Sequence, residues 1–201
     1  MLKKLLFIGV VLLAGLHGTM ATVEGEKAEI FMTDIGNKVI NLLTDKSISQ
    51  QERASQFQHI LETKFDVRAI GKFVLGRYWK HASKEEKEKF LALFKASTVA
   101  SYATRFSEYS SEKFEVVGSR TEKDGGVTVL TRIVRPNGQA ILIDWKIFEK
   151  KGELRIYDVI LEGISMSITQ RSEYAAVIQQ GGGKVQALIT ALEKKTGKPI
   201  S

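Results

Sequence analysis

The chain has no cysteine, which excludes a disulfide framework, a thiolate zinc site and a cysteine nucleophile. Histidine is nearly as scarce. Of three, His17 lies in the leader described below, His59 falls in a predicted helix and His81 in a polar loop. Neither of the last two has a metal-ligand partner at useful spacing. No Gly-x-Ser-x-Gly elbow surrounds any serine. Gly181-Gly182-Gly183-Lys184 lacks the Walker spacing and stands between two helical stretches, so it reads as a hinge or helix stop. Internal repeats are missing, as is any linker long enough to separate two domains. Blocks of one charge sign are missing too: basic residues are scattered and often accompanied by Glu, which argues against a nucleic-acid surface.

What is present is an ordinary globular composition, 43% hydrophobic and 26% charged, in a length that suits one domain. The start is different. Lys3-Lys4 precede the uncharged apolar run Leu5 to Leu16, and Thr19-Met20-Ala21 places small residues at the two positions a signal peptidase reads. This layout predicts a cleaved signal peptide over residues 1–21 and a single exported domain over 22–201. The apolar run is too short for a bilayer core of ~30 Å, and no cysteine follows it for lipid anchoring. Losing Lys3 and Lys4 lowers the net charge from +7 to +5, a balance that suits anionic head groups or acidic partners.

Three extended segments between Gly126 and Gly163 organise the rest, divided by Pro136-Asn137-Gly138 and Lys151-Gly152. In the middle one, Ile141, Ile143, Trp145 and Ile147 alternate with Leu142, Asp144, Lys146 and Phe148, the period of a half-buried antiparallel strand. A further strand, Lys113 to Val117, precedes them. Helices are predicted on both sides. Ser49 to Glu52 and Ser83 to Glu86 are capping boxes, the second opening a helix that runs toward Tyr109. Asp66 caps a short helix ending at Gly76. The fold expected is α+β: an antiparallel four-stranded sheet with helices before and after it packed on one face.

Chemistry-bearing groups are few. Arg132 and Asp144 share an outward phase and predict a cross-strand ion pair. Asp158 and Glu162, four apart, fit either an acid–base pair in a small enzyme or a carboxylate that pins a loop. Large apolar side chains are plentiful, and periodicity does not distinguish a filled interior from a lined cavity.

Phe65-Asp66, Leu75-Gly76-Arg77-Tyr78-Trp79, Phe90, Phe94, Tyr102, Glu108-Tyr109-Ser110, Ile143-Asp144-Trp145, Tyr157-Asp158-Val159, Glu162-Gly163-Ile164-Ser165, then Arg171, Tyr174 and Ile178 occur in that order. The ordered set resembles the MlaC-type periplasmic phospholipid-binding proteins, or toluene-tolerance proteins. Leu154 stands where that family often has an aromatic, and Met166 where it usually has Leu. The resemblance implies a non-enzymatic periplasmic lipid carrier with no cofactor, whose sheet and helices enclose an apolar cavity for acyl chains. A hopanoid-associated branch shares the architecture. Implied partners are an inner-membrane ABC transporter with an MCE-domain ring and an outer-membrane lipoprotein–porin complex. With strand phase added, the expected lining is Val129, Ile133, Ile143, Trp145, Ile147, Val159 and Leu161 from the sheet. Phe73, Val74, Tyr102, Phe106, Ile164 and Met166 close it from the helices, with Lys72, Arg77 and Arg171 as candidates for the mouth.

Overall fold

Short polar side chains at the heads of apolar stripes set where the helices begin. Across the described residues, 19–103 and 112–197 of a computed structural model, four such caps recur. The Glu52 N–H donates to Ser49 Oγ (3.1 Å) at the start of α2 (Gln50–Lys64). The Ala69 N–H donates to Asp66 Oδ1 (3.0 Å) ahead of α3 (Val67–Leu75). Ser83 and Glu86 cap reciprocally, the Ser83 N–H donating to Glu86 Oε2 (2.8 Å) and the Glu86 N–H to Ser83 Oγ (3.0 Å). Each such cap contributes roughly 1 kcal/mol. Helix α1 (Thr19–Thr44) precedes these, and α4 (Tyr78–His81) is a single turn between α3 and α5 (Lys84–Ala103). The expected extension of α5 to Tyr109 lies outside the described residues, as do residues 1–18 of the expected leader.

The sheet follows as β1 (Lys113–Thr121), β2 (Val127–Val134), β3 (Ala140–Lys150), β4 (Glu153–Leu161) and β5 (Ile164–Ser165), antiparallel in sequence order. There are five strands, not the expected four. The extra one is short because Glu162 and Gly163, at φ of 49° and 80°, turn the chain back so that Ile164 pairs with Leu161. Lys151-Gly152, both with positive φ, make the β3–β4 hairpin, the geometry that two-residue connections need. Ser165 Oγ then accepts from the Ile168 N–H (3.1 Å) to start α6 (Met166–Gln180), and α7 (Val185–Thr196) closes the chain after the glycine turn.

Two separate cores result. Phe90, Leu93, Phe94, Tyr174, Ile178, Leu188 and Ile189 fill the space among α3, α5, α6 and α7. Phe90 and Phe94 stack at 5.9 Å, and Tyr174 meets both edge-on. The second core places Ala28, Met32 and Ile35 of α1 against Val127, Val129, Ile147 and Ile156 of the sheet. α1 lies so close to β1 that a Cβ on Gly36 would come within 2.1 Å of the Phe114 ring.

Candidate functional site

One face of the sheet is largely apolar across four strands because a bulge in β4 realigns it. Val129, Ile133, Ile143, Trp145 and Ile147 share this face by simple alternation, Val129 opposite Trp145 and Ile133 opposite Ile141. β4 alone would break the pattern, since Ile156 and Val159 differ in parity. A register shift opposite Lys146 and Ile147 leaves Tyr157 as an extra residue, so Ile156 pairs with Ile147 while Val159 pairs with Trp145 and Leu161 with Ile143. All four side chains of β4 that matter, Leu154, Ile156, Val159 and Leu161, therefore join one face. A second shift, between Val116 and Gly118, leaves Phe114 and Val116 on this face but brings the polar Ser119 and Thr121 onto it.

Cover over this face is uneven. Val129 and Ile147 are buried under α1, with Ile156 beside them. Ile133, Ile143, Trp145 and Val159 are half-buried, Leu161 is 38% exposed and Ile164 59%. Trp145 is held in place: its indole N–H donates to Thr131 Oγ1 (2.9 Å), whose hydroxyl donates to the Ile143 carbonyl (2.6 Å). Thr131, itself buried, was not among the expected lining residues, because threonine in a strand carries no sign of which neighbour it will bond.

The helical candidates separate. Phe73 is 41% exposed at the end of α3, and Met166 is half-buried at the start of α6. Val74 is 2% exposed and belongs to the filled helical core, not to the sheet's face. Helix geometry turns it about 100° from Phe73. The side chain of Tyr102, and Phe106 altogether, lie outside the described residues. Two open clefts mark the surface. One, of about 550 Å³, is bordered by Glu62, Asp66, Arg68, Lys95, Lys150 and Arg155. The other, of about 440 Å³, is bordered by Arg77, Tyr78, His81 and Gln179. Neither is lined by the sheet's apolar face.

The residues that carried the family resemblance act largely as fasteners. Asp66 caps α3, accepts from the Tyr157 hydroxyl (2.8 Å) and from Lys150, and its N–H donates to the Ile156 carbonyl (3.0 Å). The helices are thus tied to β4 at its bulge. Burial by itself raises the Asp66 carboxyl, but hydrogen bonds from Lys150, the Ala69 amide and Tyr157 outweigh it and hold the group below its ordinary value of 3.8. The Tyr157 phenol is pushed up to about 12 by burial and then by its bond to Asp66. Asp158 accepts from the Ser165 hydroxyl (2.5 Å) and the Ser167 N–H (3.0 Å), so it secures the turn into α6. Glu162 accepts the Leu142 N–H (2.7 Å) at the tip of β3. These two carboxylates serve separate backbone turns. Among the described residues no group of three or more His, Asp or Glu could hold a metal ion.

Gly76 ends α3 at φ 57°, ψ −129°, a conformation that only glycine takes readily. The Arg171 guanidinium lies about 3 Å from where its Cβ would be, and 5.1 Å above the Phe73 ring. Arg77 donates to the Tyr78 hydroxyl (2.9 Å). The expected Arg132–Asp144 pair does not form. Arg132 faces Leu142 and bonds Glu115 on β1 (2.7 Å), while Asp144 faces Leu130 and has Arg120 at 3.9 Å. Register decided this: the residues are two steps out of opposition.

The family model described as MlaC protein matches residues 33–194. The Haemophilus influenzae intermembrane phospholipid transport system binding protein MlaC is 28% identical over 134 residues, 65% of this chain and 62% of that protein. The Pseudomonas putida toluene tolerance protein ttg2D is 23% identical over 131 residues, 65% of this chain and 61% of its own length. The matched region thus spans about three fifths of each relative. Among solved structures, a phospholipid-binding protein from Ralstonia solanacearum in complex with a phospholipid superposes with a TM-score of 0.72 at 18% identity, covering 85% of this chain and 96% of that one.

Proposed function

The chain belongs to the MlaC family, and from that premise we propose that it is a periplasmic phospholipid carrier that shields acyl chains on the apolar face of its sheet. Each methylene left in water costs about 0.8 kcal/mol, so two long tails cost on the order of 20 kcal/mol. Unaided diffusion of such a lipid is negligible, and a carrier must cover both tails with apolar side chains. The observation that carries the proposal is the graded face: closed under α1 at Val129 and Ile147, half-open at Ile133, Ile143, Trp145 and Val159, and exposed at Leu161 and Ile164. An ordinary core has no reason to leave that much aligned hydrocarbon uncovered.

In this reading the sheet residues, with Phe73, Ile164 and Met166, hold the tails, and the cavity opens between sheet and helices when lipid enters. Export depends on cleavage of the leader near Ala21. The lipid passes between an outer-membrane lipoprotein–porin complex and an inner-membrane ABC transporter with an MCE-domain ring. Transfer of this kind requires no bond chemistry, which agrees with Asp158 and Glu162 being committed to backbone turns.

Native mass spectrometry of protein purified from a bacterial host tests this directly. A lipid-sized mass adduct that disappears on denaturation, and yields phospholipid on extraction, is expected. Protein that is folded yet free of lipid, and takes up none from vesicles, would refute the carrier.

A further inference from the structure

Nine of the 26 described Lys and Arg residues lie within 4.0 Å of a carboxylate, and they are spread over the protein: Lys38, Lys84, Lys89, Lys95, Arg120, Arg132, Lys146, Lys150 and Arg155. One stretch stands apart for its lack of acids. From Val67 to Ala82 the chain carries Arg68, Lys72, Arg77 and Lys80 and no Asp or Glu. Among the described residues none of these four has an ion-pair partner, nor has Arg171 beside them. Arg68 and Lys72 stand four apart on α3, one above the other, and Gly76 continues the row to the Arg171 guanidinium. Exposed hydrocarbon borders them: Phe73 under Arg171 at 41%, Ile168 one turn before Arg171 on α6 at 59%, and Ile164 on β5 at 59%.

We propose that this strip, Arg68, Lys72 and Arg171 with Phe73, Ile164 and Ile168, docks the protein on an anionic lipid bilayer. The cations meet lipid phosphates and the three apolar tips enter the headgroup layer. The proposal rests on the carrier reading and deepens it, since Ile164 also sits at the uncovered end of the sheet's face and docking there brings that end to the bilayer. A bilayer fits better than an acidic protein. Three apolar tips set between cations fall short of the continuous ~800 Å² that a stable protein interface covers on each partner. Each tip can enter a fluid headgroup region on its own, with phosphates arranging themselves around unpaired cations.

The test is co-sedimentation of the full purified chain with phosphatidylcholine vesicles and with vesicles in which part of that lipid is replaced by phosphatidylglycerol. Binding to the anionic vesicles alone, weakened by salt, is expected. Lys72→Gln and Arg171→Gln should each lower the partition coefficient about fivefold, and Ile168→Ser should lower it without changing its salt dependence. Among the described residues the Lys72 side chain has no hydrogen bond or ion pair, so its variant tests charge with little effect on folding. Bound lipid, read by native mass spectrometry on the same samples, should stay unchanged in Ile168→Ser, whose side chain lies outside the proposed lining. Lipid-loaded protein that ignores anionic vesicles would overturn the docking surface while sparing the carrier, leaving an acidic protein as the complement. Undiminished vesicle binding in the Lys72 and Arg171 variants would overturn it equally. Vesicle binding by protein that never carries lipid would support the surface and sink the carrier.

Discussion

The two cores of this protein are built from similar residues and finished differently. Among the helices, Phe90, Phe94 and Tyr174 interlock as rings, and Leu93, Ile178, Leu188 and Ile189 are at or near zero exposure. Against the sheet, Met32, Val129, Ile147 and Ile156 are at or near zero exposure, but along β4 exposure rises to 38% at Leu161. A closed core maximises contact within the chain, whereas a graded one leaves hydrocarbon for something else to cover. On the proposed carrier reading the helices supply stability and the sheet holds cargo, and Asp66 is the joint between them.

The largest effect expected from breaking this division is in the helical core. Phe90→Ala should cost about 3–5 kcal/mol, measured by urea unfolding, because the space it leaves is walled by other rings. Its folded fraction should still carry lipid by native mass spectrometry. Next comes the joint. Asp66→Ala removes a helix cap, the Tyr157 bond and the Lys150 ion pair together, and should cost about 2 kcal/mol or more by the same measurement. Ile143→Trp should do the opposite of Phe90→Ala. A half-buried site facing the open end tolerates bulk at a cost of about 1 kcal/mol, yet lipid occupancy should fall severalfold. Equal occupancy would show that the face of Ile143 does not hold the tails.

The smallest effects are those of pH, and they differ between the regions. The Asp66 carboxyl is held below 3.8, so its contribution to stability is complete above that value and lost as pH falls through the depressed one. Acid unfolding of the wild type should therefore steepen below about pH 4 relative to Asp66→Ala. Tyr157 at the joint and Tyr174 in the helical core are both raised to about 12, Tyr174 chiefly by burial. Each stabilises fully below pH 10 and loses that contribution between 10 and 12. Tyr157→Phe should flatten the alkaline limb of a stability–pH curve and leave the Tyr174 share of it in place.

Much of this was legible in the chain. Capping residues at Ser49, Asp66 and Ser83 start helices where local hydrogen bonding dictates, and alternation in β3 put Ile143, Trp145 and Ile147 on one face. β4 was harder. Ile156, Val159, Ile160 and Leu161 leave its parity ambiguous, and only the bulge at Tyr157, set by pairing with β3, resolves it. β5 was missed because two residues carry no periodicity. Val74 follows Phe73 in the chain, yet one helical step sends it into the helical core. The Arg132–Asp144 pairing failed since phase names a face but not an opposite number.

By itself, then, the sequence determined the elements, their caps, the apolar side of each regular strand and the lack of any cysteine chemistry, because these depend on near neighbours along the chain. Tertiary structure alone decided which apolar surfaces met and which stayed open. It also decided that Asp66 and Asp158 would serve as fasteners and that Arg171 would lie over Phe73. Those outcomes depend on residues tens of positions apart, whose register and bulges no local pattern encodes.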